Sequence, residues 1–145
     1  DPAQLKRNWM KIMNSKIKYS STILAPISIG ELIDKITILE IKQIYMTGTK
    51  LKNIKKEMKL LKNILQDKNL EINIDLIKNL KNINKKLWEI EDKIRIKESN
   101  QEFDEEFIKL ARSVYIENDK RASIKKEINQ KYNSDLVEEK SYKNY

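Results

Sequence analysis

The 145-residue chain contains no cysteine and no histidine, and only two glycines and two prolines. Without cysteine there is no disulfide framework, no thiolate metal site and no thiol nucleophile. Without histidine the commonest general base is missing, and with it the usual Ser-His triads and most zinc and iron sites. No cofactor is implied. All-β folds need many tight turns, so the scarcity of glycine and proline argues for long helices. The longest apolar run is short, around residues 23 to 29, whereas a transmembrane helix needs about 20 apolar residues. No membrane insertion is expected. The N-terminus has no signal-peptide layout, and a cytoplasmic location is the default. Asp1 stands where an initiator methionine would, so the numbering starts inside the natural protein or follows processing.

Length alone indicates one domain, and a chain of this size removes roughly 68–70% of its unfolded surface from water on folding. A net charge of +8 and a pI near 9.4 invite a nucleic-acid partner. That partner is discounted, because 26 of the 30 basic residues are lysine, and isoleucine (23) and asparagine (14) are abundant too. These three residues share AT-rich codons, so a genome of that composition produces the charge without selection for a polyanion. Under the same bias the four arginines, Arg7, Arg95, Arg112 and Arg121, point to a need for the planar, forked guanidinium.

Asp1-Pro2 reads as an N-cap followed by proline at the first helical position, and Leu5, Trp9, Ile12 and Met13 form a short stripe ending near Lys16. Residues 18 to 26 read as extended, with Pro26 disfavouring helix at Ala25. Ser28 and Glu31 form a capping box for a helix from Ile29 to Met46, with Ile29, Leu32, Ile33, Ile36, Leu39 and Ile44 inward. Gly48 suits a C′ position, and Thr49 caps a helix from Lys50 to Gln66. There Leu51, Ile54, Met58, Leu61 and Leu65 form the inward stripe, and Lys52, Lys55, Lys56, Lys59 and Lys62 occupy the opposite face, a solvated surface that can complement the acidic start of the last helix. Such a short connection makes the two helices antiparallel. Asp75 caps a third helix to Glu98, with Leu76, Leu80, Ile83, Leu87, Ile90 and Ile94 inward. The acids Glu102, Asp104, Glu105 and Glu106 favour the start of a further helix running to Tyr132. In the tail, Leu136, Val137, Tyr142 and Tyr145 supply apolar surface for docking. The fold class is therefore all-α: antiparallel helical hairpins in a bundle with the tail packed on it. Residues 1–22 form an N-terminal helical extension, and 23–145 a single helical domain.

Polar groups interrupt these stripes. At roughly 100° per residue, Glu40 projects into the arc of Ile33, Ile36 and Ile44. Glu91, Arg95 and Asn84 fall beside Leu80, Leu87 and Ile94, while Asn118, Arg121 and Lys125 fall between Val114, Ile128 and Tyr132. A buried charge is costly unless paired. One reading is structural, with polar groups pairing across helices to fix their register. The other is a pocket between helices that receives a small anion. Glu40 and Glu91 oppose Arg95, Arg121 and Lys125, and the excess positive charge motivates the anion, clamped by an arginine. Asp34, Asp92, Asp119, Glu138 and Glu139 are the competing source of counter-charge.

Several segments resemble an uncharacterised family of small bacterial and marine phage-associated proteins, a domain of unknown function. They are Pro26-Ile-Ser-Ile-Gly-Glu-Leu-Ile-Asp-Lys-Ile-Thr-Ile-Leu-Glu-Ile-Lys42, Leu87-Trp-Glu-Ile-Glu-Asp-Lys-Ile-Arg95, Leu110-Ala-Arg-Ser-Val-Tyr115, Asn118-Asp119 with Arg121-Ala122, and Val137-Glu-Glu-Lys-Ser-Tyr142. The resemblance covers roughly residues 23 to 145 and implies no activity. With the helical phase, it makes Glu31, Asp34, Lys35, Glu40, Glu91, Arg95, Arg112, Asn118, Asp119, Arg121, Lys125, Glu138, Lys140 and Tyr142 the candidates for a single assembled polar site. The expected function is a non-enzymatic binding or assembly module with an interhelical polar site able to accept a small anionic ligand. Exposed apolar groups on the first helix suggest a homodimer. The Glu31, Asp34, Lys35 and Glu40 pattern of the Ile29–Met46 helix is also loosely similar to chorismate-mutase-like proteins. The alternatives are therefore a cofactorless helical enzyme acting on a small carboxylate through Arg95, Arg121, Lys35 and Glu40, or, on charge alone, a nucleic-acid-binding protein.

Overall fold

A computed structural model describes residues 1–19 and 21–145, with side chains described for 1–11 and 21–145. Ile12 and Met13 of the N-terminal stripe, and Ser20 in the segment expected to be extended, lie outside these limits. The described residues form five helices: α1 (Pro2–Tyr19), α2 (Ile29–Tyr45), α3 (Gly48–Asp67), α4 (Ile74–Ser99) and α5 (Glu105–Lys131). The chain is all-helical, as expected from its few glycines and prolines.

Caps set most of the boundaries. Ser28 accepts from the Glu31 amide at 3.1 Å and starts α2. Asp104 accepts from the Phe107 amide at 3.0 Å and starts α5, with Glu105 and Glu106 in the first turn. Two expected caps move. Asn73, rather than Asp75, caps α4 by accepting from the Asp75 and Leu76 amides. Thr47, rather than Thr49, is the N-cap of α3, without a side-chain capping bond, and Gly48, the first residue of the helix, takes φ +63°. α3, α4 and α5 end alike, with Asn69, Gln101 and Asn133 in the left-handed region. In each case the next amide bonds back to the carbonyl five residues earlier: Leu70 to Leu65, Glu102 to Lys97 and Ser134 to Asn129. These are Schellman closures made without glycine.

α2 is the central rod. It packs on α3, α4 and α5, and α4 pairs with α5 along the hairpin. Ile33, Leu76, Leu80 and Ile128 form one buried cluster, and Leu39, Ile54 and Met58 form a second between α2 and α3. Ile44, expected inward, is 70% exposed, while its neighbour Met46 packs against the α2–α3 cluster. Trp88, on the α4 face nearby, stacks on Tyr45 with ring centroids 5.2 Å apart. Where α2 meets α5 the helices approach so closely that a Cβ on Gly30 would sit 2.5 Å from the Lys125 carbonyl oxygen. Beyond Asn84 and before Glu117 the hairpin leaves the core, and no residue from 85 to 116 is fully buried. Among the described residues, α1 packs against no other helix, and no helix is long and apolar enough to cross a membrane.

The tail retraces α5, held mainly by polar contacts. Leu136, Val137, Tyr142 and Tyr145 all stay exposed. Glu138 accepts from Lys125 at 2.9 Å, Glu139 lies 4.0 Å from Lys126, and the Tyr145 hydroxyl donates to Asp119 at 2.7 Å. Tyr145 also packs edge-on against Tyr115.

Candidate functional site

The polar groups of α2, α4 and α5 meet around Asp34, which is fully buried one turn into α2. Its Oδ1 accepts from Arg121 Nε at 2.9 Å and from Asn84 Nδ2 at 2.8 Å. Its Oδ2 accepts from Arg121 Nη2, completing a bidentate, charge-assisted pair. The Asn84 amide also donates to Thr37 Oγ1 at 2.9 Å, and Thr37 donates to the Asp34 main-chain carbonyl at 2.8 Å. Lys125 Nζ lies 3.8 Å from Asp34 Oδ2 and donates to Glu31 at 2.6 Å as well as to Glu138. Lys35 approaches Glu31 at 3.8 Å. Nearby, Asn129 Oδ1 accepts from the Gly30 amide at 2.7 Å and Ser134 Oγ from the Ile29 amide at 3.0 Å. These two bonds satisfy helix-start donors that would otherwise be orphaned. Among the described residues no buried side-chain polar atom lacks a partner.

The electrostatics follow from this packing. Burial pushes the Asp34 carboxyl up, but the bonds from Arg121 and Asn84 and the charges of Arg121 and Lys125 outweigh it and hold the carboxyl below its ordinary value. The bond to Asp34 raises Arg121. Burial lowers Lys125, but Glu31 and Glu138 reverse that and leave it raised. Lys125 in turn holds Glu138 down. Three carboxylates therefore surround two buried or half-buried cations. The excess of positive charge expected in the seam is not there: Asp34, Glu31 and Glu138 cancel it.

The expected single site divides into separate places. Glu31, Asp34, Lys35, Arg121, Lys125 and Glu138 form the cage just described. Glu40 points to the other side of α2, pairing with Lys81 at 2.7 Å and Lys62 at 3.6 Å. Glu91 and Arg95 pair with each other at 3.3 Å, but their side chains are 51% and 79% exposed, so they are not part of a buried seam. The reason is that α4 at this level has α5 beside it but little of α2. Arg112 is exposed and donates to the Tyr115 hydroxyl at 3.4 Å. Asn118, Asp119, Lys140 and Tyr142 line a groove of ≈ 550 Å³ between α5 and the tail. The lysines of α3 do not serve the acidic start of α5. Glu102, Asp104 and Glu106 are gathered by Lys97, at 3.0, 2.9 and 3.1 Å.

An open cleft of ≈ 400 Å³ adjoins the cage. Ile38, Ile41, Leu87 and Trp88 wall it, and Asn84, Glu91, Asp92, Arg95 and Arg121 line it. Apolar walls with a few convergent polar groups are what a small-molecule site requires. Arg121 belongs to both cage and cleft. A guanidinium carries five N–H donors; Asp34 takes two, and the other three have no protein acceptor among the described residues. A carboxylate at zero exposure thus fixes an arginine that lines an apolar-walled cleft beside a second arginine. Of the four groups expected to serve a cofactorless enzyme, the cleft includes Arg95 and Arg121, while Lys35 and Glu40 are engaged elsewhere.

Asp34, though among the candidates, was not expected to be buried, and Thr37, Asn129 and the buried Glu117 were not singled out. Glu117 lies between Lys120 at 3.1 Å and Lys86 at 3.4 Å. Burial raises its carboxyl, and the two lysines bring it below the ordinary value. The available signal was spacing: Asp34, Thr37 and Ile41 fall on one face of α2, and Glu117 and Arg121 are one turn apart on α5.

Residues 23–145 match the model of a family whose description is Family of unknown function (DUF6165). No curated protein matches the chain, and no solved structure matches it.

Proposed function

We propose, for a chain that belongs to this family of unknown function, that it is a non-enzymatic binding module whose α2–α4–α5 cleft takes a small anionic ligand. The supporting observation is the state of Arg121. Asp34 orients its guanidinium through two bonds and leaves three donors unengaged by the described protein groups. A carboxylate or phosphate fits those donors as a second acceptor, in the planar geometry that favours arginine over lysine. Arg95 on the cleft's other wall adds a second charge, released when its exposed pair with Glu91 opens; such surface pairs are worth about 0–1 kcal/mol. Trp88 and the two isoleucines suit an apolar or ring-bearing ligand body.

The test is thermal unfolding against a panel of monocarboxylates, dicarboxylates, inorganic phosphate and sugar phosphates. A specific ligand at about a hundred times its Kd stabilises the fold by about 2.7 kcal/mol. The same panel run on Arg121→Lys separates the site from bulk salt effects. The variant keeps a cation beside Asp34 but loses the fork, so it should fold and lose the shift. An unchanged melting point across the panel, or an equal shift in the variant, removes the proposal.

A further inference from the structure

α1 is left out of everything described so far. It lies outside the family match, which begins at residue 23, and among the described residues it touches no other helix. Its apolar residues are in water: Leu5 is 70% exposed, Trp9 60% and Met10 49%. Leu5, Trp9, Ile12 and Met13 recur at helical spacing. Arg7, Lys11 and Lys18 fall opposite that stripe at roughly 100° per residue. Across Asp1–Tyr19 there are five basic residues, Lys6, Arg7, Lys11, Lys16 and Lys18, and one acid, Asp1.

The charge of one sign decides what suits this helix. A second copy of α1 packed stripe to stripe would add like charge, bringing its own five cations and one acid, with Lys6 and Lys16 nearest the contact in helical phase. A surface of fixed negative charge turns the same residues from repelled to attracted. An exposed apolar stripe carrying tryptophan, backed by a basic face, is the composition that lies in the plane of a lipid interface. The helix is 18 residues, roughly 27 Å long, and too polar to cross a bilayer. Lys6, near the edge of the apolar arc, has a stem long enough to carry its charge back to the headgroups, and Lys16 falls within that arc in sequence phase.

We infer that α1 is an interfacial helix that docks the protein on anionic lipid surfaces. Leu5 and Trp9 enter the headgroup–acyl boundary, while Lys6, Arg7 and Lys11 face anionic headgroups. The segment after it keeps Ile23 and Leu24 exposed as well.

The experiment uses the full chain carrying Trp88→Phe, which leaves Trp9 as the sole tryptophan. It is mixed with vesicles of phosphatidylcholine alone, and with vesicles of two parts phosphatidylcholine to one part phosphatidylserine. Co-sedimentation with the anionic vesicles, and a blue shift of Trp9 emission on binding, are expected. Each Lys or Arg near an anionic leaflet contributes about fivefold in affinity. Lys6→Gln/Arg7→Gln/Lys11→Gln should therefore bind about a hundredfold more weakly. Leu5→Glu/Trp9→Glu, followed by sedimentation without fluorescence, should not bind at all. Because α1, among the described residues, packs on no other helix, each variant should melt like the parent, and that melt checks misfolding as the cause. Equal binding to both vesicle types, no binding, or binding untouched by the variants overturns the proposal. So does a concentration-dependent dimer without lipid that Leu5→Glu/Trp9→Glu abolishes, since that would assign the stripe to self-association. None of these outcomes bears on the cleft.

Discussion

Asp34 shows how one buried charge can be stable and consequential together. Its two oxygens receive three hydrogen bonds and face a lysine at 3.8 Å. Removing one partner of such a pair strands the other and typically costs about 3–5 kcal/mol. Asp34→Ala is therefore expected to lower urea-denaturation stability by about that amount. The pH dependence has a definite sign. Asp34, Glu117 and Glu138 all sit below their ordinary values of 3.8, 4.5 and 4.5 in the folded state. Their contribution is present above those values and is lost as pH falls through the lower, folded ones. Lys125, raised above its ordinary 10.5, contributes fully below that value and loses its share only as pH rises through the higher, folded one. Chemical melts should show stability flat through neutral pH and falling below about pH 4, with Asp34→Asn shallower on the acid side. Gly30 makes a different demand. Gly30→Ala places its methyl against the Lys125 carbonyl and should cost on the order of 1–3 kcal/mol by overpacking, read in the same denaturation assay. Of these residues only Lys125 falls within an apolar stripe in the sequence; Asp34, Glu117 and Gly30 are buried without that signal. A stripe argument divides a helix into a wet and a dry face, and α2 has neighbours on three sides, so its polar residues can be buried too.

Helices were legible because each level of signal agreed: apolar spacing, a cap residue, acids in the first turn of α5. Their ends were less so. The three Schellman closures use Asn69, Gln101 and Asn133, where a search for glycine finds nothing. A non-glycine residue in the left-handed region costs roughly 1–2 kcal/mol, and asparagine somewhat less because its side chain bonds locally. Gln101→Gly should therefore raise stability by about 0.5–1 kcal/mol, measured as a higher melting temperature, and Asn69→Gly by less. The reverse outcome would mean that the Gln101 side chain stabilises the turn by a contact absent from this structure. Glu91 and Arg95 illustrate the other failure. Their order and spacing read correctly as an ion pair, but the extent of neighbouring helices, which decides whether the pair is wet, is a tertiary property.

At the scale of the molecule, the cage fastens four pieces of chain at one point: α2 through Asp34 and Glu31, α4 through Asn84, α5 through Arg121 and Lys125, and the tail through Glu138. The charge excess read from the sequence counted only residues on three stripes. Asp34 lies off those stripes and Glu138 lies in a tail without phase, so both entered only as competing counter-charges, and with Glu31 they supply the balance. The one-site expectation failed for the same reason: helical phase says which face a residue occupies but not how far along the bundle that face stays covered.

The central claim is that Arg121, aimed by Asp34, presents free donors to an anion in the adjoining cleft. With four arginines in the chain, side-chain NMR of the guanidinium Nε–H groups can follow each one separately while the anion panel is titrated. Saturable shifts confined to Arg121 and Arg95, with Arg7 and Arg112 unmoved, are the predicted result. Four arginines that respond alike, or an Arg121 signal that stays still at every concentration, would contradict it.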